Sequence, residues 1–284
     1  MAADVIEPLE MLASVAWDAA PHLCSPEHGC KDYHQVWSYL RLLGIISATT
    51  AGGDFFVQEF ARLAGEGKKR VLISGAADAG TLALVSTGFR RAGVAPEIVF
   101  LDRCQTPVEQ NRALAKQLGI NCEFICEDIR TLNCAPVDAI CTHSFLFFFD
   151  RVGRCELFRS WARNLKPGGL VITSNRIGVT AQDSSAAMSE QERTSRVTQL
   201  RKAAEDFGGN VADRKEEMGE AAGRMWMAPG HIQITEAEIR EAAADAGLEV
   251  EKFAFQSNAP NQKSSYSSAR LNNPRAEIIL RRPF

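Results

Sequence analysis

The fold is decided by the stretch Arg70-Val71-Leu72-Ile73-Ser74-Gly75-Ala76-Ala77-Asp78-Ala79-Gly80, together with Glu97-Ile98-Val99-Phe100-Leu101-Asp102 further along the chain. The first stretch predicts a buried strand that ends in a turn of small residues, and the second predicts a neighbouring strand that ends in a carboxylate. In an open α/β sheet such a turn lets the backbone approach a ligand, and the acid accepts hydrogen bonds from ribose hydroxyls. The two stretches therefore predict a crevice for a cofactor that contains adenosine.

The turn after the first strand differs from the dinucleotide-binding fingerprint, because it contains only Gly75 and Gly80 where that fingerprint has three glycines. Further elements strengthen the α/β interpretation. Strands are predicted at 121–126, 137–142 and 170–173, and a helix at 154–164 leads into the turn Leu165-Lys166-Pro167-Gly168-Gly169.

Residues 68–175 resemble class I S-adenosylmethionine (SAM)-dependent methyltransferases, and the C-terminal part does so more loosely. The likeness rests on the small-residue loop, on Asp102 and Asp128 after the second and third strands, and on the turn at 165–169. It implies a Rossmann-like, seven-stranded, mostly parallel α/β sheet with an antiparallel terminal strand pair, SAM as the cofactor, and methyl transfer to a small-molecule acceptor.

The chain departs from the family pattern within this loop. Ser74 stands where the family usually has an acidic residue, and Ala76 and Asp78 stand where it usually has glycines. Two alternatives to a methyltransferase therefore stay open. One is a catalytically silent SAM-binding regulatory protein, and the less favoured one is a nicotinamide-dependent oxidoreductase.

The sequence divides into an N-terminal helical cap at 1–66 and a core at 67–284, with a helical lid inserted at 177–230. Helices are predicted at 5–19, 33–49, 54–64, 189–206 and 212–225. Capping patterns predict helix starts at Thr106 and Thr235. Strands at 248–255 and 276–282 form the terminal pair, with a polar surface loop at 257–273 between them.

Composition and charge exclude several partners. The 284 residues are 45% hydrophobic and 24% charged, and their net charge of −3 gives no cationic field for nucleic acid. No apolar run is long enough to span a membrane, and the N-terminus lacks the pattern of a signal peptide. We therefore expect a cytoplasmic protein without nucleic-acid or membrane partners. The oligomeric state stays open, with a homodimer as one alternative.

The eight cysteines are expected to be reduced and to act as small apolar residues. His22, Cys24, His28, Cys30 and His34 lie within one short segment, and both residue types are zinc ligands. Their spacing matches no common zinc module and includes no Cys-x-x-Cys pair. The sequence therefore predicts no metal site, with a structural metal at this Cys/His cluster as the alternative.

The resemblance and the strand ends together predict the cofactor site. Asp102 is expected to accept both ribose hydroxyls, with capping of the following helix as the alternative. Asp128 is expected to accept the adenine amine, with a solvated turn acid as the alternative. The full predicted set is Ser74, Gly75, Ala76, Asp78, Gly80, Asp102, Arg103, Asp128, Ile129, His143 and Ser144.

His143 is the candidate catalytic residue, because it ends the fourth strand and imidazole can act as a base near neutral pH. The alternative is that His143 only contacts cofactor or backbone. Arg176 is a candidate for binding an acidic group of the substrate, with a surface salt bridge as the alternative. The predicted substrate-binding residues are Tyr33, His34, Trp37, Phe145, Asn175, Arg176 and Trp226, and weaker candidates are Arg224, Met225 and His231.

Overall fold

The computed structural model describes residues 5–46, 53–178, 188–227, 234–256 and 274–284. The predicted loop at 257–273 and His231 lie outside the described residues. Among the helices that the structure describes, none combines the length and the apolar character that a membrane span requires.

The described helices are α1 (Leu9–Leu23), α2 (Lys31–Leu42), α3 (Asp54–Gly65), α4 (Gly80–Arg91), α5 (Gln105–Leu118), α6 (Arg151–Asn164), α7 (Glu190–Phe207), α8 (Gly209–Asp213), α9 (Lys215–Met225) and α10 (Glu236–Asp245). The strands are β1 (Arg70–Ser74), β2 (Glu97–Asp102), β3 (Cys122–Cys126), β4 (Val137–His143), β5 (Leu165–Arg176), β6 (Glu249–Phe255) and β7 (Arg275–Arg281). Two short 3₁₀ turns lie at Pro26–His28 and Leu146–Phe148.

The strands form one seven-stranded sheet in the order β3-β2-β1-β4-β5-β7-β6. Strands β1 to β5 are parallel, whereas β7 runs antiparallel to both β5 and β6. The predicted Rossmann-like sheet with its antiparallel terminal pair is confirmed. Because the parallel strands end at the same edge, this topology collects the residues after β1, β2, β3 and β4 along one crevice.

Each face of the sheet is covered by helices. One face packs against α3, α4 and α5, with Phe56, Phe60 and Phe89 among its fully buried side chains. The opposite face packs against α6 and α10, around Phe158 and Trp161. Both faces are therefore sealed, and open space is left mainly at the strand ends.

The N-terminal helices and the inserted helices share a third hydrophobic core. Trp17 of α1 and Tyr39 of α2 pack with Leu200 of α7 and Met218 of α9. An ion pair between Arg214 and Asp18 spans 3.1 Å on the surface of this cluster. Helices α1, α2, α7, α8 and α9 are called the helical cap below, whereas α3 of the predicted N-terminal segment packs on the sheet.

Several element boundaries differ from the prediction. Helix α1 begins at Leu9 rather than at residue 5, and α2 ends at Leu42 rather than at residue 49. The helix predicted at 212–225 is two helices that meet at Arg214. The turn at 165–169 is absorbed into β5, where Gly168 adopts φ +73° and its N–H donates to Arg282 O at 2.9 Å.

The predicted helix cap at Thr106 is wrong. Helix α5 starts two residues earlier than this cap implies, at Gln105, and Cys104 is its N-cap residue. Asp102 Oδ1 accepts the Cys104 N–H at 2.8 Å, and the Thr106 hydroxyl instead contacts Cys24 Sγ at 3.2 Å. The capping box predicted at Thr235 is confirmed.

Candidate functional site

A cavity of about 440 Å³ opens at the carboxyl ends of β1, β2 and β3 and is bordered by α2 of the helical cap. This volume lies in the range of pockets that bind cofactors and small ligands. Of the predicted cofactor residues, the cavity is lined by Ser74, Gly75, Ala76, Asp102, Arg103, Asp128 and Ile129. It is also lined by Ala77 of the predicted loop, by Phe148 and Phe149 of the aromatic run after β4, and by residues that were not predicted as cofactor or substrate residues, namely Cys30, Leu101, Glu127, Arg130, Asp150 and Gly153.

The turn after β1 combines a tight backbone with an unsatisfied polar atom. Gly75 has φ +65°, and a Cβ at this position would overlap the ring of Phe145. Only glycine fits here, since a side chain would meet both the ring and the left-handed backbone. The hydroxyl oxygen of Ser74 is buried and has no hydrogen-bond partner among the described residues. A buried polar group of this kind favours a ligand that can hydrogen-bond to it.

Asp78 lies beside this turn but is engaged by the protein itself. Its Oδ1 accepts the Gly80 N–H at 2.9 Å, and its Oδ2 forms an ion pair with Arg41 of α2. Arg41 also pairs with Glu7 at 2.6 Å, and all three charged side chains are buried. Asp78 therefore ties the helical cap to the loop after β1, and the cavity is not lined by Asp78 or Gly80.

Asp102 is a buried carboxylate at the cavity wall. Only 9% of its surface is exposed, and this burial raises its pKa to about 6, against the opposing effect of His34. One oxygen of Asp102, Oδ1, accepts the N–H of Cys104, the N-cap residue of α5, so the carboxylate also contacts the start of this helix. Asp102 therefore both lines the cavity and holds the start of α5.

Asp128 also lines the cavity and is held by a guanidinium. Arg130 donates from Nη2 to Asp128 Oδ2 at 2.7 Å and from its backbone N–H to Oδ1 at 2.9 Å. Hydrogen bonding from Arg130 lowers the pKa of Asp128 and keeps it ionised. Next to it, Ile129 is buried and offers an apolar surface. The name ribose side is used below for the cavity wall formed by Asp102 and Asp128.

The ends of β4, β5 and β7 form a second group of residues, called the acceptor side below, which consists of His143, Ser144, Arg176 and Arg275. Arg275 donates to His143 Nε2 at 3.1 Å and to Ser144 Oγ at 2.9 Å. Ser144 has φ +52°, a left-handed conformation that is uncommon for residues other than glycine. Strain of this kind is often stored at functional sites.

His143 is half-buried, and loss of solvent around its ring together with the charge of Arg275 lowers its pKa well below the ordinary value. Because a guanidinium can only donate, Nε2 of His143 is the acceptor and the proton is on Nδ1. The imidazole is therefore neutral and engaged at one nitrogen. The cavity is not lined by His143 or Ser144.

Two predicted substrate residues at the end of β5 have different environments. The side-chain oxygen of Asn175 accepts the N–H groups of Phe145 and Leu146 at 3.0 and 3.1 Å, and its Nδ2 donates to Thr173 Oγ1 at 2.8 Å. Asn175 thus holds the loop after β4 in place. Burial lowers the pKa of the Arg176 guanidinium.

The structure separates the remaining predicted substrate residues into two places. Tyr33, His34 and Phe145 line the cavity. Trp37 and Trp226 pack in the helical cap, where Trp226 is only 7% exposed. Among the weaker candidates, Met225 packs in the same core, and Arg224 pairs with Asp32 at 2.9 Å.

Sequence reasoning missed Arg275 and Arg41. A signal for Arg275 was present, because an antiparallel strand that pairs with β5 must begin where β4 and β5 end. For Arg41 no signal was present, since its pairing with Asp78 depends on how α2 docks on the core.

Comparisons with known proteins support the methyltransferase interpretation. The family described as "Methyltransferase domain" matches residues 79–169. A comparison with curated protein sequences finds no match. Among solved structures, the chain is similar to a SAM-dependent methyltransferase from Clostridium acetobutylicum, with TM-score 0.52 and 11% identity over 87% of this chain and 96% of that one.

Two further similar structures come from proteins with different reactions. The O-methyltransferase NcsB1 from neocarzinostatin biosynthesis has TM-score 0.52 and 15% identity over 93% of this chain and 59% of that one. The [4+2]-cyclase SpnF has TM-score 0.51 and 16% identity over 80% of each chain. At these identities the likenesses establish the fold. Together with the family match over residues 79–169, they confirm the resemblance of this chain to class I SAM-dependent methyltransferases.

Proposed function

We propose that this protein transfers a methyl group from SAM to a small-molecule acceptor that carries an acidic group. The observation that carries the proposal is the crevice at the carboxyl ends of β1 to β4 within a methyltransferase domain. The ribose side gives it acidic hydrogen-bond acceptors, and the acceptor side places the half-buried guanidinium groups of Arg176 and Arg275 next to it.

The described residues fit SAM on the ribose side. The Ser74 hydroxyl is buried without a partner among the described residues, and the absence of a side chain at Gly75 lets the Phe145 ring pack against the turn at the cavity wall. An ionised Asp102 can accept hydrogen bonds from ribose hydroxyls, and Asp128 with Ile129 suits a purine that has a polar edge and an apolar face. Arg103 completes the part of this wall that follows β2.

When bound, SAM supplies an activated methyl group, so that the protein needs to provide placement and exclusion of water rather than covalent chemistry. We assign the placement to the loop after β4. Phe145 lines the cavity next to Ser144 of the acceptor side, and Asn175 fixes both the Phe145 and the Leu146 N–H groups. This fixed loop supports in-line positioning of the acceptor.

An acidic acceptor is favoured by the charge of the acceptor side. Arg275 donates to His143, Ser144 and Ser174, all of which are neutral, and no described carboxylate forms an ion pair with it. Burial and the neighbouring Arg176 lower the pKa of Arg275 to about 10, so the guanidinium stays charged at neutral pH. A carboxylate on the acceptor would supply the missing counterion.

His143 enters this proposal as a positioning residue rather than as a base. Its neutral ring accepts from Arg275 and stacks edge-on against Phe56 with ring centroids 5.9 Å apart. A base with a strongly lowered pKa holds a proton poorly. We therefore propose that His143 aims the Arg275 guanidinium at the acceptor.

The test measures S-adenosylhomocysteine (SAH) formed from SAM with paired acceptors that differ only in carrying a carboxylate or a carboxamide. An aromatic hydroxy acid such as 2-hydroxy-5-methyl naphthoic acid, which is bound in the NcsB1 structure, is the first probe. We expect turnover with the acid and a loss of kcat/KM of about 10- to 150-fold in Arg275→Gln for the acid alone, the range for a hydrogen bond to a charged group.

Three outcomes would contradict parts of this proposal. Equal turnover of the carboxylate and carboxamide acceptors would contradict the proposal that the acceptor carries an acidic group. Binding of SAM without SAH formation from any acceptor in a broad panel would support the silent SAM-binding alternative. Binding of NAD in place of SAM in calorimetry would support the oxidoreductase.

A further inference from the structure

Four side chains with metal-ligating atoms converge at the joint between the helical cap and the core. They are Cys24, Cys30, His34 and Cys104, and their ligand atoms all lie within 4.8 Å of one another. None of them is needed for the proposed methyl transfer. Cys104 and His34 are buried, and Cys24 and Cys30 are half-buried.

The fold brings these residues together from two distant parts of the chain. Cys24 ends α1, and a 3₁₀ turn followed by the left-handed Gly29 reverses the chain toward Cys30 at the start of α2. His34 lies one helical turn after Cys30, so both side chains face the same way. Cys104 is 74 positions beyond Cys30 and arrives from the loop after β2.

The separations match a tetrahedral ion. Zinc binds cysteine sulfur at about 2.3 Å and histidine nitrogen at about 2.0 Å, which places tetrahedral ligands about 3.8 Å apart for two sulfurs and about 3.5 Å apart for sulfur and nitrogen. The observed separations are 3.8 Å for Cys30 Sγ to Cys104 Sγ, 3.5 Å for Cys104 Sγ to Cys24 Sγ, and 3.5 Å for Cys24 Sγ to His34 Nδ1.

We propose that Cys24, Cys30, His34 and Cys104 bind one Zn²⁺ ion in a closed Cys₃His site. Three thiolates and one imidazole are a donor set that selects zinc among the common cations, and four protein ligands leave no open position for a substrate. The site is therefore structural. It replaces the sequence-based prediction of no metal.

A second layer of contacts supports the site. The Thr106 hydroxyl lies 3.2 Å from Cys24 Sγ and can donate to that sulfur as a thiolate. Hydrogen bonds of this kind to ligand atoms orient them and tune the metal. The contact with Cys24 Sγ also gives the Thr106 hydroxyl a partner other than the backbone of α5, whose N-cap residue is Cys104.

The position of the site links it to the ribose side. Cys104 follows Asp102 by two residues and is the N-cap residue of α5, while Cys30 and His34 line the cavity. An ion held between them fixes the loop that carries Asp102 against α2. Binding of Zn²⁺ thus shapes the cavity, although the ion supplies no group that takes part in the reaction.

The decisive experiment is metal analysis of the purified full chain by mass spectrometry, which does not depend on any activity. We expect one equivalent of zinc in the wild type and in the control Cys155→Ser, whose cysteine lies on α6. In Cys30→Ser and Cys104→Ser the zinc content is expected to fall to below about one tenth of an equivalent, since loss of a ligand thiolate weakens a structural site strongly.

A second measurement covers the case in which the variants fail to fold. Wild-type protein stripped by a chelator and reloaded with Co²⁺ should show the intense visible bands of tetrahedral cobalt together with thiolate charge-transfer absorption. A wild type that takes up neither Zn²⁺ nor Co²⁺ would overturn the proposal. So would zinc retained by both variants, or a Cys24–Cys104 disulfide found by mass spectrometry in the freshly purified chain.

Discussion

The two sides of the crevice have opposite charge and opposite origins. The ribose side is acidic and is built from residues that follow β2 and β3, which are close in sequence to the strands that position them. The acceptor side is cationic and joins the end of β4 to Arg275, 132 positions further along the chain. The comparison teaches that the residues of the proposed cofactor wall are specified locally in the sequence, whereas the proposed acceptor side depends on the terminal strand pair.

The largest expected effect concerns the link between the helical cap and the loop after β1, next to the ribose side. Arg41→Met should lower the free energy of unfolding by about 3 to 5 kcal/mol, because it leaves the buried carboxylates of Glu7 and Asp78 without their partner. Urea unfolding without cofactor measures this loss. The control Arg62→Met removes an exposed ion pair and should change stability by less than about 1 kcal/mol. Equal stability of the two variants would show that the cap does not need this link.

The next effect tests the acidic character of the ribose side. Asp102→Ala should weaken SAH binding by about 1.5 to 3 kcal/mol, because the ribose hydroxyls lose a charged acceptor. Calorimetry measures the dissociation constant. The control Glu123→Ala removes an exposed carboxylate on β3 and should leave affinity unchanged. An unchanged constant in folded Asp102→Ala would remove this residue from the site.

A smaller effect separates positioning from base catalysis on the acceptor side. His143→Asn should lower kcat/KM for the acceptor about tenfold, the equivalent of one hydrogen bond, and leave SAH affinity within about threefold. Because the pKa of His143 is well below its ordinary value, the wild-type rate should show no inflection near pH 6.5. A fall in kcat/KM of about 10²- to 10⁴-fold, together with a wild-type rate that declines at acidic pH and a variant rate that does not, would instead identify His143 as the general base.

The smallest effect is a pH dependence confined to the ribose side. Burial raises the pKa of Asp102 to about 6 in the free protein, and ribose hydroxyls bind the ionised form. SAH affinity should therefore be full above pH 7 and fall by up to about tenfold between pH 7 and pH 5, as the carboxylate takes up a proton. In Asp102→Asn the affinity over this range should be flat. A wild-type affinity that is equally flat would show that Asp102 stays ionised.

Much of the core could be predicted from the sequence because its signals are local. Alternation of buried strands and helices indicated the parallel sheet, and the short segments from Ser74 to Gly75 and from Asp102 to Arg103 carry their own turn chemistry. These residues all line the cavity. The terminal strand pair was predicted as well, although the residue at its start was not recognised.

The boundaries and roles that failed depend on contacts between distant segments. Thr106 has the sequence of a helix cap, but Asp102 already accepts the N–H at the start of α5, and this frees the hydroxyl for Cys24. Trp226 resembles a pocket residue by composition, yet it is buried where α9 meets α2. Composition cannot tell a pocket wall from a helix interface, because both favour aromatic side chains.

The sequence by itself determined the class of fold, the succession of strands and helices along the chain and the acids that border the cavity, because each follows from periodicity or from the residue that ends a strand. Only the tertiary structure decided which charges meet and which thiols cluster. Arg41 with Asp78, Arg275 with His143, and Cys30 with Cys104 are paired by how α2 and β7 dock on the core. Such pairings carry no local signal, since they depend on distances between segments that are remote along the chain.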